Sequence, residues 1–405
     1  MQNNFEIYNK YIFIIYRMLS RAYFHLPILL IFLLTKLSSL ICAEFMLAIY
    51  ALSIAAFSTL NTFLIKKEIK LKYIIAGGEI CKAIGLFLIV FFNSSELYIA
   101  LGQLIGGLGF ALCIGTDSSL LRSQYLNNGQ EVYQKIESSS MSLVFLVIFL
   151  AGNIGSFLYS IHSTLPFYIS IFTTLVSSLI ILSFHEPQKK SDDILKNASY
   201  TVGLQNKIFN IDSMIIYWMC YYVIVRATVL ALFVGFLPLL LESKAISIEY
   251  FGFFLGFFSI CAAVSARYIT KSFLDCHKLF SSMLTAILLC MSVSLFTFFS
   301  SNMGWLIGMA LLGAAAGAVR PLALSQISQK ISSIIETKII LSKMEAMYGI
   351  ANGFLLFIGG ILAILYGLRS CFLLISLLPI LFTISAPLVT FLRARKNKVQ
   401  PIHQS

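Results

Sequence analysis

Charge is what this sequence lacks. Of 405 residues only 11% are Asp, Glu, Lys or Arg, and acids are the scarcer kind, 17 against 29 Lys and Arg. A soluble domain carries about a quarter charged residues, so this chain has too few to present to water over its whole surface. Metal-binding patterns are also missing. The histidines, His25, His162, His185, His277 and His403, are scattered, and the 8 cysteines contain no Cys-x-x-Cys pair. Nearly all the cysteines lie in apolar runs and read as small packing residues, neither a metal site nor a disulfide framework. No P-loop is present, which excludes a nucleotide-driven pump of that type. No His-Glu-x-x-His, buried Ser/His pairing or paired aspartates in adjacent helices occur, which argues against an intramembrane enzyme. No cofactor is expected.

What is abundant is apolar. By composition 59% of residues are hydrophobic and 14% aromatic, with mean hydropathy +0.90. The natural solvent of such a chain is lipid, where the backbone must satisfy itself as helices or a closed barrel. The runs are about 20 residues or longer, the length a helix needs to cross a ~30 Å hydrocarbon core. Helices are predicted over 11–34, 41–64, 73–92, 97–121, 137–160, 164–184, 211–241, 249–270, 277–299, 303–327, 339–366 and 368–392. The expectation is an all-α polytopic membrane protein with about twelve spans. The first run is interrupted by Arg17 and Arg21 and lacks a nearby small-residue cleavage site, so it reads as a span, not a removed signal.

The net charge of +12 has a topological explanation. Lys66, Lys67, Lys70 and Lys72 follow the second run; Lys189, Lys190, Lys196 and Lys207 occupy a central polar break; Lys271 and Lys278 follow the eighth run. Arg393, Arg395, Lys396 and Lys398 form the tail, whereas the alternate loops hold little beyond Lys36, Lys244 and Arg369. This bias places both termini and the central loop in the cytoplasm and removes the need to invoke nucleic acid as a partner. The break at 185–210 divides the chain into two six-helix bundles, 1–184 and 211–405, the arrangement of two parallel repeats.

A few charges sit where charge is expensive. A central Arg or Lys in a span costs roughly 2.5–3.5 kcal/mol on insertion scales, so it normally faces water or a partner. The first run carries Arg17, Arg21 and His25 at helical spacing, on one face, with snorkelling to the interface an alternative for both arginines. The fourth carries Gln103 and, near its end, Asp117; the fifth opens with Glu137. Arg226 lies deep in the seventh run, Arg320 in the tenth, and Lys343, Glu345 and Tyr348 in the eleventh. Glu44 and Lys82, near run starts, read as interfacial. The buried balance is basic, which favours an anionic solute, because guanidinium groups grip carboxylate or phosphate bidentately. Arg17, Arg21, His25, Gln103, Arg226 and Arg320 are candidate substrate ligands. Asp117, Glu137, Glu345 and Tyr348 are candidates for gating or coupling.

The end of the fourth run reads Asp117, Ser118, Ser119, Leu120, Leu121, Arg122, Ser123, followed by Tyr133, Lys135, Ile136 and Glu137. These resemble the DSALLYD-type element and the Y-x-K-I-E-G-R stretch of bacterial inner-membrane members of the major facilitator superfamily. Ile339, Ile340, Leu341 and Ser342 are similar to that group's R-A-T-x-L-S. The superfamily's loop 2–3 signature is altered, with Lys66 where an Asp is expected and Ile69 where a Gly is expected; Glu137 is followed by Ser138 and Ser139, and Glu336 replaces an Arg. The resemblance implies a central cavity lined by helices 1, 4, 7 and 10. It also implies secondary active transport by alternating access of a small solute, with protons as a candidate coupling partner, by a monomer in the inner membrane. An organic anion such as a carboxylate, a metal chelate or a phosphate ester is the expected solute. A drug or lipophile exporter of the same superfamily, or a membrane sensor that binds solute without moving it, are the alternatives.

Overall fold

The structure is a computed structural model, and it describes residues 2–66, 69–124, 130–186, 212–269, 278–299, 301–328 and 334–398. The central break at 185–210 lies almost wholly outside the described residues. In chain order the helices are α1 (Gln2–Ser20), α2 (Leu29–Lys36), α3 (Leu40–Lys66), α4 (Leu71–Phe91), α5 (Glu96–Cys113), α6 (Thr116–Gln124), α7 (Gln130–Ile161) and α8 (Leu165–Leu182). They continue with α9 (Ser213–Leu230), α10 (Leu237–Ser243), α11 (Phe251–Val264), α12 (Lys278–Phe298), α13 (Asn302–Ser328), α14 (Ile334–Tyr366) and α15 (Leu368–Lys398). Eleven spans among the described residues are long and apolar enough to cross a membrane. The broken first run adds one shorter apolar helix, Leu26–Lys36.

Three runs expected to be continuous are interrupted. The first run stops at Ser20, and its backbone turns through Arg21–Phe24 before a short 3-10 turn, Leu26–Ile28. Pro27 explains the break, since it has no N–H to give and disfavours helical backbone at the residue before it. The expectation that Arg17, Arg21 and His25 share one helical face is therefore corrected: only Arg17 lies on α1. The fourth run breaks between α5 and α6 at Gly115, whose φ of +76° suits a residue without Cβ. The seventh run contains a π-helical turn, Ala231–Phe236, between α9 and α10.

Lys82 and Glu44 are not interfacial. Lys82 is 6% exposed in the middle of α4 and Glu44 is fully buried in α3. Lys82 can be buried because Glu79, one turn earlier, meets its Nζ at 2.7 Å. Glu79 in turn accepts from Ser20 at 2.7 Å, Ser177 at 3.1 Å, and Tyr16 and Cys113 at 3.3 Å each. This network ties α1, α4, α5 and α8 into one polar core inside the N-terminal half.

The two halves meet along seams of small residues. Along α3 and α14, a Cβ on Gly349 would stand 2.8 Å from the Ala51 carbonyl, and one on Gly353 2.8 Å from Leu52. Between α7 and α11, Gly252 lies backbone to backbone with Gly152, and Gly256 against Phe149; within the N-terminal half, Gly155 of α7 meets the Phe24 carbonyl. Small residues let helices approach closely in a bilayer, where van der Waals packing drives association. The Gly349 and Gly353 contacts lie near the middle of α3 and α14, and the α7–α11 contacts toward the start of α11. We expect Gly252→Val to overpack the α7–α11 seam at a cost of about 1–3 kcal/mol. This would show as a lower melting temperature of detergent-purified protein, and an unchanged one would refute the close packing.

Candidate functional site

Asp117 and Ser118 begin α6 just after the Gly115 turn, and Glu137 and Ser140 lie near the start of α7. All of them converge on Arg17. Its Nε meets Asp117 Oδ2 at 3.1 Å, and its Nη2 meets Glu137 Oε1 and Ser118 Oγ at 2.9 Å each. Nη1 donates to Ser140 Oγ at 2.9 Å, and the Phe13 ring lies 4.9 Å from the guanidinium carbon. Ser118 also donates to Glu137, and its backbone N–H donates to Asp117. Such planar, forked donation is what arginine provides and lysine does not. Here Arg17 serves as the clasp that holds α1, α6 and α7 together. Beside it and outside the span, burial and the Glu137 carboxylate push the Tyr133 phenol above its ordinary range.

A second cluster lies in the C-terminal half. Arg226 Nη1 meets both oxygens of Glu345 at 2.7 Å. Tyr222 donates to the same carboxylate at 2.6 Å, and the Tyr348 ring stacks 4.2 Å from the Arg226 guanidinium carbon. The pair is partly open, with 28% of the Arg226 side chain and 12% of Glu345 exposed.

Two further arginines lie within electrostatic reach of this pair and of Asp117, and neither forms an ion pair with a described residue. Arg21, on the turn after α1, donates to Tyr23 at 3.1 Å and lies over the Phe110 ring. Arg320 is exposed on α13, one residue before Pro321, and forms no ion pair with any described residue. Arg21, Arg226 and Arg320 all act electrostatically on Glu345. Arg320 also interacts with Asp117 and Glu137 of the other half. An exposed side chain within electrostatic reach of carboxylates from both halves places Arg320 near the boundary between them. Around Glu345 stand Arg21, Arg226 and Arg320, an excess of positive charge.

The other predicted residues lie elsewhere. His25 is buried within the N-terminal half, its Nδ1 2.9 Å from Ser170 Oγ and its ring stacked on Phe167. Gln103 is 3% exposed in α5 and its amide nitrogen has no hydrogen-bond partner. Sequence reasoning missed Glu79, although its spacing to Lys82 was a signal, and missed Tyr222, one turn before Arg226. No group of His, Cys, Asp and Glu able to hold a metal occurs among the described residues.

Breaking a buried ion pair by removing one partner costs about 3–5 kcal/mol, whereas replacing both with apolar groups is often neutral. We therefore expect Glu345→Ala to lower the melting temperature markedly and the double substitution Arg226→Met, Glu345→Met to restore most of it. Equal melting of the two variants would show that the pair is not held as described.

Comparison with known proteins places the chain. A family model described as Major Facilitator Superfamily matches residues 12–334. No curated protein matches the sequence. Among solved structures, the nucleoside transporter NupG superposes with a TM-score of 0.68 at 12% identity, covering 95% of this chain and 98% of that one. The D-xylose-proton symporter gives 0.71 at 12%, covering 94% and 97%. The human organic anion transporter MFSD10 (TETRAN) gives 0.62 at 13%, covering 95% and 99%. With the family model spanning most of its length and this fold beneath it, the chain belongs to the Major Facilitator Superfamily.

Proposed function

We propose that this protein is a secondary active transporter of a small organic anion, a carboxylate or phosphate ester, working by alternating access. The observation that carries the reading is the pair of arginines, Arg21 and Arg320, that lie within electrostatic reach of the Arg226–Glu345 pair and form no ion pair with a described residue. Two such charges favour a ligand that brings the missing negative charge, and guanidinium groups bind carboxylate and phosphate in fork geometry. Arg320 borders the proposed site from one half and Arg21 from the other, so a bound anion bridges both halves. That is the location from which a solute biases their rocking. The likeness to nucleoside, sugar and organic anion transporters fits the fold and leaves the choice of solute to the site.

In this reading the units are the bundles 1–184 and 211–405 with 185–210 as their cytoplasmic connection. The protein works as a monomer in a bacterial inner membrane. The lysine and arginine bias supports cytoplasmic termini. The α7–α11 seam then closes the outward side, and the arginine site opens toward the cytoplasm. Asp117 and Glu137, held by Arg17 within the N-terminal half, stiffen that half at that side. A drug or lipophile exporter would have no use for Arg21 and Arg320.

The test is a thermal-shift screen of purified protein against carboxylates and phosphate esters. A ligand at a hundred times its Kd stabilises the native state by about 2.7 kcal/mol. We expect one class of anion to raise the melting temperature, and Arg320→Gln to abolish that rise while leaving the ligand-free melting temperature within a degree or so of native. Stabilisation by cationic lipophiles alone would overturn the anion reading.

A further inference from the structure

Glu44 stands one turn into α3, and no part of its side chain reaches solvent. Neither of its carboxyl oxygens has a hydrogen-bond partner. It is held in place by glycines of the other half. A Cβ on Gly235, in the π-helical turn, would stand 2.9 Å from Glu44 Oε2 and 3.2 Å from Oε1. A Cβ on Gly360 of α14 would stand 3.0 Å from Glu44 Cβ. Both positions admit the carboxyl because they carry no side chain. π-Helical turns recur at functional sites, and this one makes one wall of the enclosure.

The charges around Glu44 are as informative as the space. Among the described residues of the elements packed on it, Cys371 of α15 is the titratable group within electrostatic reach. α14 and the π-helical turn present none to it, and no Lys, Arg or His forms an ion pair with it. The contrast with the other membrane carboxyls is sharp. Asp117, Glu137, Glu345 and Glu79 each have a cation within 3.1 Å. An isolated ionised carboxylate in an apolar interior is far costlier than its neutral acid. A closed seam therefore favours the neutral acid at Glu44.

Opening changes that. The walls over Glu44 belong to the C-terminal half, so parting α3 from α14 and the π-helical turn brings water to the carboxyl. We infer that Glu44 is the proton-binding site of this transporter: the acid form closes the α3–α14 seam, and the proton leaves to water when the seam parts. The inference rests on the alternating-access reading above and adds a proton to its cycle. It assigns that proton to a residue distant from the arginine site and assigns Asp117 and Glu345, already neutralised by arginines, no such task.

The test needs no transported solute, so its failure is distinct from failure of the anion reading. Ala48 lies one turn beyond Glu44, 1% exposed, with its carbonyl 3.2 Å from where a Gly353 Cβ would stand. Full-length Ala48→Cys is reconstituted in proteoliposomes and treated with a membrane-impermeant maleimide, and modification is read on the peptide carrying position 48. The same is done with Glu44→Gln added. Dividing one rate by the other cancels the ordinary pH dependence of a thiol. We expect the ratio to climb with pH, by up to roughly tenfold per pH unit while the proton is being lost, and the Glu44→Gln chain to stay slow. A flat ratio overturns the inference. Should Ala48→Cys fail to fold, hydrogen–deuterium exchange of the segment 40–54, corrected for intrinsic rates, gives the same reading. Protection that falls with pH in the native chain but not in Glu44→Gln supports the site, and matching profiles overturn it.

Discussion

A charge inside a membrane protein must have a partner, water, or no charge at all, and this molecule uses each option. Arg17 is surrounded by two carboxylates and two hydroxyls. Lys82 shares a fully buried Glu79 with four other donors. Arg226 and Glu345 form a half-open pair that solvent reaches. Arg320 is exposed, and Glu44 is sealed with no hydrogen-bond partner. The cost of bare charge in hydrocarbon sorts these groups into structural clasps and, in the readings proposed above, a ligand-facing surface and a proton site.

The second constraint is backbone proximity. Gly152 against Gly252, and Gly349 and Gly353 against α3, bring helices of the two halves closer than larger residues allow. Such seams have little polar adhesion to break, so two packings of the same halves differ modestly in energy. The two sets of features divide the labour. The seams join the two halves, while the Arg17 clasp and the Glu79 core tie the N-terminal half together internally.

Much of the fold was legible beforehand. Hydropathy alone located the spans, because each long apolar run is a local property and a bilayer accepts little else than a helix there. The breaks were harder. Pro27 and Gly115 were visible as residues, but whether they interrupt a run depends on what replaces the lost backbone bonds. Grouping Arg17, Arg21 and His25 on one face assumed unbroken helix, and the turn at Arg21–Phe24 sends the three into a clasp, the neighbourhood of the Arg226–Glu345 pair and a buried hydroxyl contact. Reading Glu44 and Lys82 as interfacial assumed that distance from the run's start measures depth, whereas burial there is set by neighbouring helices.

The sequence by itself determined the class of molecule and roughly how many helices cross; the basic balance it suggested for the buried charges does not hold, because Glu44 and Glu79 are buried alongside Asp117 against Arg17 and Lys82. Only the tertiary structure decided which charges are spent on each other. Arg17 is 100 positions from Asp117 and 120 from Glu137, and Arg226 is 119 from Glu345. Hydrophobicity acts on each segment alone, but ion pairing acts across space between segments. No local pattern records which distant helix will be adjacent.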